Sequence, residues 1–262
     1  MMRIWAIVLV LPMLFGCETN PPARESSMQE PMSQQVAVGD ARKRAKAHVD
    51  LGMEYLMNDN LSVALDEARS AIAADSSYSL GYNLLALVQM YIKENRGAEE
   101  NFQRALGLTP GDPEISNNYG WFLCQTEREQ QSLPYFVSAS NVALYPTPTK
   151  PLTNAGICSL AMKDDKGAED FLRKALRADP TNADAQFLVA DICYRGGRLE
   201  EARARLDDVH KRREFSAQSA WLGLRIARKQ GDREMESRYA TEIRRRFQNS
   251  AEYRMMTQGQ FE

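Results

Sequence analysis

Histidine is scarce: two residues, His48 and His210, in a chain of 262. They stand far apart, in no metal-ligand spacing and beside no candidate nucleophile. No Gly-rich phosphate loop is present, and no strand-turn-helix nucleophile elbow. The acidic pairs Glu99-Glu100, Glu200-Glu201 and Asp207-Asp208 fall in helical stretches, where solvated faces are expected. Enzymatic chemistry is therefore not expected, nor a cofactor, a metal or a small-molecule substrate. An excess of one charge is also missing: the net charge is −2, which removes a bulk electrostatic preference for nucleic acid. β-Branched runs are rare beyond the first ten residues, while Ala, Leu, Arg and Glu are abundant and dispersed. Helix is the expected content.

A long apolar run is lacking too. Arg3 supplies a positive start and Ile4 to Phe15 carries no charge. That is short of the about 20 apolar residues a spanning helix needs. It reads as a signal peptide, residues 1–16, to be removed. Leu14-Phe15-Gly16-Cys17 resembles the lipobox of bacterial lipoproteins, which implies a lipid on Cys17. Phe15 is bulkier than that family usually has. Glu18 follows the cysteine, and the resemblance to lipoprotein sorting rules then implies the outer membrane, with the folded part facing the periplasm. Buried acyl methylenes contribute about 0.8 kcal/mol each, so two or more chains anchor stably. From Glu18 to about Gly39 the chain is Pro-, Ser- and Gln-rich without hydrophobic periodicity. Residues 17–40 are expected to be the anchor and a disordered tether with a reach of about 25 Å.

Beyond the tether the sequence has a period. Small residues recur at Gly52, Ala86, Gly120, Gly156, Ala190 and Gly223, at separations of 34, 34, 36, 34 and 33. The series Ala64, Ala98, Ser132, Ala168, Ala202, Met235 keeps the same separations, as does Ala71, Ala105, Ala139, Ala175, Val209, Glu242. Small residues let paired helices approach closely, and large apolar neighbours such as Phe102, Phe136, Leu172 and Tyr239 fill the space between them. Turns are expected at Asn58-Asp59-Asn60, Asn95-Arg96-Gly97, Asp164-Asp165, Gly196-Gly197 and Gly231-Asp232. Pro110 and Pro180 should end second helices. The pattern resembles the tetratricopeptide family over residues 41–248, which implies an all-α, right-handed superhelical array of about six helix hairpins. The sixth repeat is degenerate and reads as a cap. The third is two residues longer, with a stiff exit at Tyr145-Pro-Thr-Pro-Thr-Lys-Pro151, expected to act as a spacer that resets the helix. Residues 249–262 are left as a tail.

Besides Cys17, the cysteines are Cys124, Cys158 and Cys193, all on first helices. An odd number cannot all pair, and none forms a C-x-x-C motif. An oxidising periplasm would allow a Cys158–Cys193 bridge between adjacent repeats. The expectation is three reduced, buried packing thiols.

First helices of such arrays line the concave side, so their inner stripes are the candidate contacts. The partner-binding candidates are Val49, Met53, Leu56 and Met57 in repeat one, Leu80, Leu87 and Tyr91 in repeat two, and Trp121 beside Asn117 and Gln125 in repeat three. Methionine and aromatics in a groove suit an apolar helix or an extended peptide. With Met53, Leu87 and Trp121 at the deep inner positions, a Lys/Asn clamp for a peptide carboxylate is not expected. Charge is divided along the array. Residues 50–131 hold thirteen acidic and five basic side chains, whereas residues 195–254 hold ten acidic and sixteen basic. The basic end could face anionic lipid, peptidoglycan or an acidic protein, or be solvated helix surface.

Three stretches carry a narrower resemblance: Asn117-Asn118-Tyr119-Gly120-Trp121-Phe122-Leu123, Leu144-Tyr145-Pro146 and Leu222-Gly223-Leu224-Arg225-Ile226-Ala227. Ser250-Ala-Glu-Tyr253 fits as well. Together with lipobox, tether and six repeats, they resemble the type IV pilus biogenesis lipoproteins of the PilF/PilW family, pilotins of the secretin. The resemblance implies a periplasm-facing protein that binds secretin subunits and promotes their outer-membrane targeting and multimerisation. The competing reading is a general lipoprotein adaptor that docks periplasmic proteases or peptidoglycan enzymes.

Overall fold

A computed structural model of the protein describes residues 30–261. Cys17, the signal peptide and the expected tether as far as residue 29 lie outside the described residues. Thirteen α-helices and one short 3-10 turn, Met32–Gln34, make up the regular structure among the described residues. The helices pair as hairpins: α1 (Asp40–Met57) with α2 (Leu61–Ala74), α3 (Ser79–Tyr91) with α4 (Asn95–Leu108), and α5 (Pro113–Gln125) with α6 (Glu129–Ser140). Then come α7 (Thr149–Ala161) with α8 (Asp165–Ala178), α9 (Ala183–Arg195) with α10 (Leu199–His210), and α11 (Ala217–Gln230) with α12 (Arg233–Arg246). A last helix, α13 (Ala251–Thr257), packs on α11 and α12. None of the described helices is long and apolar enough to cross a membrane.

The small-residue series sits where the hairpins close. Ala64, Ala98, Ser132, Ala168 and Ala202 are fully buried, and so are Ala71, Ala105, Ala139 and Ala175. A methyl group added at Gly156 would stand 2.6 Å from the Leu172 side chain, and one at Gly120 would stand 2.9 Å from the Phe136 ring. Both separations are shorter than packed carbons tolerate, so the crossing needs glycine there. Neighbouring hairpins share apolar clusters. One contains Phe102, Tyr119 and Phe122; another joins Leu172 and Leu206 to Leu222 and Ile226.

Each turn inside a hairpin is built the same way. One residue adopts the left-handed conformation: Asp59, Lys93, Glu127, Lys163, Gly197 and Gly231, with φ between 58° and 74°. The amide of the next residue closes back onto the first helix, as Asn60 N to Tyr55 O at 2.9 Å and Glu94 N to Gln89 O at 2.8 Å. This is the Schellman arrangement, which satisfies the last carbonyls of a helix. The turn expected at Asn95-Arg96-Gly97 is not where the chain bends: those residues open α4, and the bend is Ile92–Glu94, with one left-handed lysine. Pro110 and Pro180 follow the ends of α4 and α8 as expected.

Three further expectations change. Cys124 and Cys158 form a disulfide between α5 and α7, with Cα atoms 5.9 Å apart, and Cys193 is the free, buried thiol. The expectation of three reduced thiols, and the alternative Cys158–Cys193 pair, are both replaced. The N-terminal segment from residue 30 is docked rather than loose: Ser33 N donates to Asp112 Oδ2 at 2.9 Å, and Arg42 Nη1 meets the Met32 sulfur at 3.4 Å. The tail forms α13, N-capped by Ser250, and then folds Phe261 flat against Trp221 at 5.5 Å. The array is thereby closed at its basic end by an aromatic pair.

Candidate partner-binding groove

The first helices α1, α3, α5 and α7 lie side by side, and the inner ends of the first three enclose a cavity of about 240 Å³. Met53, Leu56 and Met57 supply one wall from α1, and Leu87, Met90 and Tyr91 supply the next from α3. Trp121, Asn117 and Asn118 come from α5, with Glu114 at its first turn. Lys150 and Asn154, one turn apart on α7, close the far side.

Six of the eight expected contact residues meet here: Met53, Leu56, Met57, Leu87, Tyr91 and Trp121. The other two do not. Val49 is 7% exposed in the cluster that holds Ala45, Ala64 and Leu84. Leu80, a helical stripe position before Leu87, packs against that same cluster. Both lie on the same helical stripes as the groove residues but pack into the cluster shared by the first two repeats. Within the groove the exposures differ sharply: Met57 is 67% and Tyr91 56% exposed, whereas Leu87 is 8%. Met53, Leu56 and Trp121 are partly buried and each bridges two core clusters.

The polar floor is a chain of asparagines. Asn118 Nδ2 donates to Asn83 Oδ1 at 3.2 Å, Asn117 Nδ2 to Asn118 Oδ1 at 3.2 Å, and Asn154 Nδ2 to Asn117 Oδ1 at 2.9 Å. The chain runs from α3 through α5 to α7, so the amides are oriented before any partner arrives. Asn118 and Asn154 each stand two residues before the small residue of their repeat, Gly120 and Gly156. Aligning repeats for polar as well as small positions would have found them. Lys150 and Glu114 had no such signal.

Glu114 is held from two sides. Tyr145 Oη donates to its Oε2 at 2.8 Å, and Lys150 Nζ to its Oε1 at 2.7 Å. Burial and the Glu114 charge push the Tyr145 hydroxyl well above its usual range. The Tyr145–Pro151 stretch therefore does more than space two helices: it ties α7 to α5 at the rim of the groove. Lys150, Asn117, Asn118 and Asn154 line the groove beside Met53, Leu87 and Trp121. Lys150 nevertheless spends its charge on Glu114, so the lining carries no free cation for a bare carboxylate. Apolar walls over fixed amides suit a segment with apolar side chains and an unpaired backbone.

Comparison with known proteins agrees with the architecture. A tetratricopeptide repeat model matches residues 159–224. The type IV pilus assembly protein PilF of Pseudomonas aeruginosa is 29% identical over 249 residues, covering 95% of each chain. The solved structure of P. aeruginosa PilF superposes with a TM-score of 0.77 at 27% identity, covering 84% of this chain and 100% of that one. The crystal structure of PilW, described as a widely conserved type IV pilus biogenesis factor, gives 0.73 at 30% identity, covering 81% of this chain and 98% of that one.

The chain belongs to the PilF/PilW family. It is a tetratricopeptide protein of type IV pilus biogenesis. In this PilF/PilW protein the groove occupies repeats one to three, with the exit of the third repeat at its rim.

Proposed function

We propose that the protein is a lipid-anchored pilotin: it binds subunits of the type IV pilus secretin in the groove of repeats one to three and promotes their outer-membrane targeting and multimerisation. The observation that carries the reading is the groove itself. Exposed Met57 and Tyr91 stand over a fixed asparagine floor in a PilF/PilW-type array. A soluble surface seldom leaves large apolar side chains exposed beside a pre-formed cleft without a partner. Recognition would combine burial of Met57 and Tyr91 with hydrogen bonds from the amides to the partner's backbone. Two or more acyl chains on Cys17 would hold the complex at the inner face of the outer membrane. Residues 30–35 lie against the Thr109–Asp112 turn.

The test is co-purification of the secretin from detergent-solubilised envelope, with secretin multimers read on the same samples. Met57→Glu with Tyr91→Glu should remove the secretin while the melting temperature stays within about 2 °C, since exposed substitutions change stability little. Leu87→Glu is the contrasting variant: a buried, unpaired carboxylate costs several kcal/mol, so it should lose both the fold and the partner. Cys17→Ala should abolish incorporation of a palmitate analogue. A folded Met57/Tyr91 variant that still carries the secretin at the wild-type level contradicts the groove assignment.

A further inference from the structure

The basic end of the array holds a second cavity, of about 610 Å³, between α9, α11 and the segment after α13. Tyr194 forms one wall and Phe261 the other, with Arg225, Arg228 and Lys229 between them and the Gly259-Gln260 backbone at the rim. No carboxylate lines it among the described residues. Each of the three cations stands over an aromatic face. Arg225 stands over the Tyr194 ring at 4.7 Å, Lys229 over the same ring at 4.3 Å, and Arg228 over the Phe261 ring at 4.1 Å.

Their charges are poorly answered within the chain. Arg225 Nε is buried with no hydrogen-bond partner among the described residues. Its one ion pair among those residues, with Asp191 at 3.8 Å, is too long for a hydrogen bond, and Asp191 also bonds Arg195 at 2.9 Å. Lys229 pairs with no described carboxylate; only Arg228 has a close partner, Glu236 at 2.7 Å. Arg225 is partly exposed, so an incoming anion would pair with its outer nitrogens, which no described carboxylate approaches within hydrogen-bond distance.

We infer that this cavity is a docking site for an acidic peptide segment, separate from the apolar groove and independent of what occupies it. Charge complementarity selects an anion. The size selects a chain rather than a bare ion: the cavity falls in the range of sites for organic ligands. A planar guanidinium matches a carboxylate with two parallel hydrogen bonds, and Lys229 supplies a second, mobile charge for the next one along. Lys211-Arg212-Arg213 and Arg244-Arg245-Arg246 are as basic, but they do not line this cavity.

Fluorescence anisotropy of a labelled oligoglutamate peptide, titrated with the detergent-solubilised full-length protein, tests the assignment. Wild type should bind it and leave an oligoglutamine peptide of equal length unbound. Arg225→Gln and Lys229→Glu should each weaken binding at least tenfold, whereas the double variant Arg244→Gln, Arg245→Gln should change it less than threefold. Lys229 is exposed, so its variant keeps the test valid if Arg225→Gln unfolds the cap. Equal losses in the α12 control would assign the effect to general charge and overturn the proposal. Displacement by inorganic phosphate at lower concentration than by free oligoglutamate would overturn it in favour of a phosphate site.

Discussion

Met57 and Tyr91 turn most of their apolar surface to solvent at the mouth of the groove, whereas Leu87, on the same stripe, is closed into the cluster of Phe102 and Tyr119. Residues of one chemical type and one helical phase thus differ in what their substitution would do, and only burial separates them. Burial also decides two residues away from the groove. His210 rests against the Phe215 ring at 4.3 Å, with Nε2 buried and unpartnered among the described residues and the Arg238 charge nearby. Desolvation pulls its pKa down from 6.5 to about 4. The folded state therefore holds the neutral ring while the unfolded state takes up a proton, so stability is full above pH 6.5 and falls as pH drops towards 4. Urea midpoints at about pH 7 and about pH 5, on either side of the histidine's ordinary value, should differ more for wild type than for His210→Phe; equal differences would contradict this. Glu169 works in a lower window. Arg198 and Arg173 hold its carboxylate down to about pH 2, so its contribution persists above pH 4.5 and is lost only as pH falls through 2. Among the cysteines, burial pushes the Cys193 thiol up to about 11, which makes it unreactive. Non-reducing peptide mapping should return Cys124 linked to Cys158, and Cys158→Ala should cost about 2–4 kcal/mol for a closed loop of this length. Recovery of both thiols by alkylation of the native protein would contradict the pairing.

At the scale of the element, the hairpin turn is the repeated decision. Six left-handed positions recur in register, yet only Gly197 and Gly231 are glycine. A side chain in that conformation costs about 1 kcal/mol, so Lys93→Gly and Lys163→Gly should each stabilise the array by up to that amount, and Gly197→Ala should destabilise it similarly. Thermal melts of the three variants check the sign; stabilisation by Gly197→Ala would contradict the turn assignment. These turns explain which parts of the fold were legible in the sequence. Small residues must recur wherever two helices touch, so Gly52 to Gly223 announced six hairpins without any structure. Turn conformation needs no such signature when a lysine or glutamate bears the strain, and so the bend at Lys93 was placed on Asn95–Gly97. Cysteine pairing was illegible for another reason. Cys124 stands four residues past Gly120, Cys158 two past Gly156 and Cys193 three past Ala190, and the crossing of α5 over α7, not the spacing, brings the first two together. Likewise, stripe periodicity grouped Met53, Met57, Leu87, Tyr91 and Trp121, which line one cavity, but could not show that Val49 and Leu80 pack into the cluster shared by the first two repeats.

Across the whole molecule, the two ends differ in kind. Repeats one to three present an apolar cleft with a neutral amide floor; repeats five and six, closed by α13, present cations posed on aromatic rings. The Cys124–Cys158 bridge and the Glu114–Tyr145–Lys150 contacts join repeats three and four at the centre of the array. On the proposed function, the secretin lies in the apolar cleft. A photo-crosslinking amino acid placed at Tyr91, with a second variant at exposed Asp66 on α2, tests it in cells that assemble pili. A secretin adduct is expected from position 91 and none from position 66; an adduct from position 66 alone would place the secretin elsewhere.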